Sequence, residues 1–73
     1  MKVRVLQEKV HDASSEIQTE QVVYFPGNGA VVRQHKNAKG EVLKGEILVR
    51  LVYADHKMTE VLLDAITRHI TGH

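Results

Sequence analysis

The chain has no cysteine, no tryptophan, one proline and three aromatic residues (two tyrosines and one phenylalanine) among 73 positions. Without cysteine there is no disulfide, no thiolate zinc site and no cysteine nucleophile. No apolar run approaches the roughly 20 residues that span a bilayer. The opening Met1-Lys2-Val3-Arg4-Val5-Leu6 is charged too early to lead into a signal-peptide core, so a cytoplasmic location is the expectation. Charge of one sign is lacking too. The formal net charge is +1, and composition alone argues neither for nucleic acid nor for an acidic membrane.

What is present fits a soluble globular domain, with 42% hydrophobic and 26% charged residues. The length allows one small domain spanning residues 1–73. A chain this short buries only about 60% of its unfolded surface, and its core needs a supplement. Disulfides are excluded. Self-association is expected ahead of a metal held by histidines and carboxylates.

Lys2 to Gln7 alternates charged and apolar residues, the pattern of a half-buried strand near a sheet edge. Glu8, Asp12, Glu16 and Glu20 are four apart, which would crowd like charges on one helix face. Residues 8–20 are therefore expected as a loop entering a strand near Ile17. Gln21-Val22-Val23-Tyr24-Phe25 is β-branched and aromatic, as in a central strand. Pro26-Gly27-Asn28-Gly29 then reverses the chain, and Ala30 to His35 returns it. Asn37-Ala38-Lys39-Gly40 predicts a type I turn with a left-handed glycine. Beyond it, Glu41 to Lys44 begins a strand that Gly45 is expected to bend. Ile47 to Tyr53 is the strongest strand signal in the chain.

Residues 55–72 carry a helix signal. Met58, Val61, Leu62, Ala65, Ile66, His69 and Ile70 recur at helical spacing, Asp55 can cap the entry and Gly72 the exit, and Arg68 and His69 lie in the last turn. The expected architecture is α+β: an antiparallel meander of about four strands, able to curl toward a barrel, with a C-terminal amphipathic helix. Such a helix is about 21 Å long and covers one face of the sheet. The remaining apolar face predicts a barrel-like closure or a second subunit.

No constellation points to catalysis. Ser14 and Ser15 are the only serines and sit in the polar connection, where hydroxyls commonly serve turns and caps. Pro26-Gly27-Asn28-Gly29 lacks the Lys-Ser/Thr of a phosphate-binding loop and precedes a strand. His69 and His73 have the i, i+4 spacing that can share a metal, yet they suit the cationic last turn of a helix better. His11-Asp12 and Asp55-His56 are sequence neighbours and make no dyad by that fact alone. No catalytic residue, metal site or cofactor is expected.

Charge is distributed unevenly. Residues 8–20 hold four carboxylates against Lys9, whereas residues 33–50 hold five cations against Glu41 and Glu46. Arg33, His35, Lys36, Lys39 and Lys44 are thus expected to gather around the second hairpin and to bind a partner, either nucleic acid or an acidic protein surface. Basic tip and acidic loop can also meet between subunits.

The run Val22-Val23-Tyr24 with Gly27 and Gly29-Ala30-Val31-Val32 resembles the opening of the small Tudor- or SH3-like domains that bind RNA polymerase in CarD-type transcription regulators. The resemblance covers about half the chain and implies a transcription-machinery partner. The chain departs from it by placing Phe25 before Pro26 and by ending in a helix rather than a strand. No family residue is carried over.

The function expected from the sequence is a non-enzymatic binding or assembly module, homo-oligomeric, acting through its sheet face and basic hairpin. The alternatives are a nucleic-acid or transcription-machinery binder and a small-molecule-binding or catalytic oligomer with an interface pocket.

Overall fold

The computed structural model describes residues 2–11, 14 and 16–71. Four antiparallel strands run in sequence order, β1 (Arg4–Val10), β2 (Thr19–Phe25), β3 (Ala30–Lys36) and β4 (Val42–Arg50), followed by α1 (His56–Ile70). This is the expected α+β meander with a C-terminal helix. The sheet does not close: β1 and β4 are its two edges and do not pair. Twist of about 20–25° per strand pair accumulates too little over four strands to form a barrel.

The two reversals follow from their residues. At the first, the Gly29 amide donates to the Phe25 carbonyl at 2.9 Å, and the Asn28 side-chain oxygen accepts from the Ala30 amide at 3.0 Å. Gly29 has φ +71°, and a Cβ there would meet the Leu51 carbonyl carbon at 3.1 Å. Glycine is required on both counts. At the second, Asn37 Oδ1 accepts from the amides of Lys39 and Glu41, both at 3.0 Å, and Gly40 takes φ +83°.

Several boundaries differ from expectation. β1 extends through Glu8, Lys9 and Val10, because these residues pair with Gln21, Glu20 and Thr19. β4 ends at Arg50, and Val52 and Tyr53 belong to the turn entering α1. Gly45 sits in regular register opposite Gln34; the irregularities fall instead around Leu43 and Leu48. Each is a bulge in which two β4 residues face one on β3.

The core is small. Val22, Val31 and Leu63 are its fully buried centre, with Leu6, Tyr24, Leu51, Ile66 and Ile70 packed around it, and Val23 and Ala30 are also buried. Asp55 caps α1, accepting from the Met58 amide at 2.7 Å. Thr71 closes it, with Arg68 and His69 in the last turn. Gly72 and His73 lie outside the described residues, and with them the expected glycine exit and the His69–His73 pair.

The helix is rotated relative to the predicted stripe. Leu63 is its most buried residue, with Leu62, Ile66 and Ile70 half-buried, whereas Met58, Val61, Ala65 and His69 are exposed. The apolar arc is wide enough to have two centres, and packing against Val22 and Val31 selects the one around Leu63. A salt bridge from Arg4 to Glu60, with both carboxylate oxygens within 2.9 Å of Nη1, ties α1 to β1. No described helix is long and apolar enough to cross a membrane.

Candidate functional site

Alternation along β3 separates the expected partner-binding residues. Arg33 and His35 share the helix side of the sheet with Val31, and Lys36 points to the other side. The cross-strand register then decides their neighbours. His35 lies opposite Glu20 on β2 and Lys44 on β4, and Arg33 lies opposite Val22 and Glu46.

Glu20 becomes the centre of a charged cluster. Its carboxylate lies 3.4 Å from His11 Nε2, 3.5 Å from Arg33 Nε and 3.6 Å from His35 Nε2. These are close electrostatic contacts rather than short hydrogen bonds. All four side chains are partly buried, so the attraction between Glu20 and Arg33 is screened less than on an open surface. His35 Nδ1 is buried without a hydrogen-bond partner. The cluster joins the end of β1 to β2 and β3. It holds no hydroxyl or thiol nucleophile, and among the described residues no group of three or more His, Asp and Glu is arranged to hold a metal ion.

The three lysines are placed differently. Lys39 is exposed on the second turn, Lys44 is exposed on β4, and Lys36 is half-buried beside Glu8, Gln21 and Asn37 in an open cleft. None of the three forms an ion pair among the described residues. The five expected residues therefore divide into a pair engaged by Glu20 and three separate lysines. A second open cleft lies between Lys2, Arg4, Tyr24, Pro26 and His56, but its arginine is already held by Glu60.

The surface the sequence did not reveal is β4 itself. All nine of its residues are exposed, and Val42, Leu43, Ile47, Leu48 and Val49 each leave between 37% and 52% of their surface in solvent. Alpha-helical cover explains this. Four strands about 4.8 Å apart make a sheet nearly 20 Å wide, and one helix is about 10–12 Å across. Helix α1 packs over β1 and the core residues of β2 and β3, and among the described residues no layer covers β4 on either side. Strand order in a meander was the available signal, since the last strand is necessarily an edge.

Comparison of the chain with protein-family models, with curated proteins and with solved structures finds no match in any of the three.

Proposed function

We propose that this protein is a non-enzymatic binding and assembly module that works as a homo-oligomer through its uncovered sheet surface and basic hairpin. The observation that carries the reading is the exposure of β4, an apolar edge strand over which the described residues place no layer. Long exposed apolar edges are templates for pairing with another chain. Contiguous exposed apolar surface commonly marks an interaction site. The small core supports the same reading, because five buried hydrophobic residues among those described leave a chain of this size with little stability of its own. The non-enzymatic part rests on the sequence, in which no motif assembles an activated nucleophile.

Light scattering across a dilution series tests the proposal. The expected result is a mass of two or more chains at high concentration that falls on dilution, with a melting temperature that rises with concentration. A single-chain mass throughout contradicts it.

A nucleic-acid partner is a second reading, favoured by Lys36, Lys39 and Lys44 having no ion pair among the described residues. It predicts affinity that falls with salt at a log–log slope of about −0.9 per phosphate contacted, reduced in Lys36→Ala with Lys39→Ala. Salt-independent affinity removes it.

A further inference from the structure

We infer that β4 pairs antiparallel with β4 of a second copy of this chain, in a single register with its two-fold axis at Glu46. This inference rests on the self-association reading above and specifies its interface.

Two hydrogen bonds set which backbone groups of β4 face β3. The Leu51 amide donates to the Gly29 carbonyl at 2.7 Å, and the Asn37 amide donates to the Glu41 carbonyl at 3.0 Å. Along an antiparallel strand, residues bonding inward alternate with residues whose N–H and C=O face outward, except that both residues of a bulge face the same partner. Counting back from Leu51, Arg50 faces outward, Val49 and Leu48 form the bulge opposite Val31, and Ile47 faces outward. Counting forward from Glu41, Val42 faces outward, Leu43 and Lys44 form the bulge opposite His35, Gly45 faces outward, Glu46 inward and Ile47 outward. Both counts agree at Ile47.

The free edge is therefore Val42, Gly45, Ile47 and Arg50, a set symmetric about Glu46. A two-fold axis there places Val42 opposite Arg50 and Gly45 opposite Ile47 of the second copy, and each bulge faces the other bulge. Every outward backbone group then meets another. Two-fold axes at Gly45, Ile47 or Leu48 set an outward residue against an inward one, so they lose ladder bonds. Side chains agree with this register. Ile47 faces Gly45 of the second copy, where no side chain blocks it, and Leu43 of each copy meets Leu48 and Val49 of the other, making two apolar clusters that flank the axis. The two Glu46 carboxylates fall directly opposite one another, a like-charge cost that the diagonal Lys44 ammonium groups of the two copies offset by making the quartet neutral.

The absence of cysteine makes the register measurable. Glu46→Cys places two thiols across a non-hydrogen-bonded pair with Cα atoms about 4.5 Å apart, within disulfide reach. Gly45→Cys places its two copies beyond the roughly 7 Å limit. Mild oxidation of each full-length variant, read by non-reducing electrophoresis and by mass, is expected to cross-link Glu46→Cys at least tenfold faster than Gly45→Cys. Ile47→Pro removes only an outward N–H, so it is expected to stay folded by circular dichroism while its dimer dissociation constant rises about thirtyfold or more. A dimer in which Glu46→Cys does not cross-link preferentially, or in which Ile47→Pro has no effect, overturns this register and leaves self-association standing. A monomer at every concentration overturns both.

Discussion

Strands β2 and β4 are both rich in β-branched and aliphatic residues, yet they end in opposite environments. β2 buries Val22 under α1 and Val23 on the opposite face, with a paired strand on each side, whereas every residue of β4 is exposed. Local hydropathy thus sets strand formation but does not set burial; position in the sheet and the width of one helix do. The contrast also divides the molecule by role. β2, β3 and α1 hold the chain together, and β4 offers apolar surface and free backbone groups to something else.

Substitutions on the two sides of this contrast should differ most in size. Leu63→Ala is expected to destabilise by about 2–5 kcal/mol in denaturant unfolding, since it opens a cavity against Val22 and Val31. Leu48→Ala, measured on dilute protein, should change stability by about 0.5 kcal/mol or less. Equal effects would break the comparison. Gly29→Ala should cost about 1–3 kcal/mol, because it combines positive φ with a close backbone approach next to the last residues of β4. Asp55→Ala removes the α1 cap and should cost about 1 kcal/mol.

The smallest expected effect concerns pH. The Arg4 guanidinium, bonded to both Glu60 oxygens, holds that carboxyl below its ordinary value. A lowered folded pKa means the unfolded state binds the proton more readily. The contribution is therefore present above the ordinary glutamate pKa and is lost as pH falls through the folded value. Arg4→Ala should flatten that part of the stability–pH profile. Its size is small because both side chains are exposed.

The elements most legible in the sequence were those with local chemical signatures. Pro26 to Gly29 and Asn37 to Gly40 announce turns, and Asp55 announces the helix start. The central placement of β2 was legible from its continuous apolar run. What escaped depended on register. The bulges near Leu43 and Leu48 exist only relative to β3, and a one-residue shift there changes which face each side chain joins. The phase of α1 escaped because its apolar arc has two centres, and only the packed partner chooses between them. The Glu20 cluster escaped for the same reason: Arg33 and His35 reach it from β3 and His11 from just beyond β1, and the four-residue spacing of acidic residues pointed to a repulsive helix face instead. Of the five expected partner-binding residues, charge type was legible and spatial grouping was not.

Hydrogen–deuterium exchange at the amides of Gly45 and Ile47 tests most directly whether β4 is the surface through which copies assemble. Both amides face outward, whereas the Leu51 amide is bonded to Gly29 within the chain. Fast exchange at Gly45 and Ile47 is expected in dilute protein and strong protection at high concentration, with Leu51 protected at both. Exchange at Gly45 and Ile47 that does not change with concentration would contradict it.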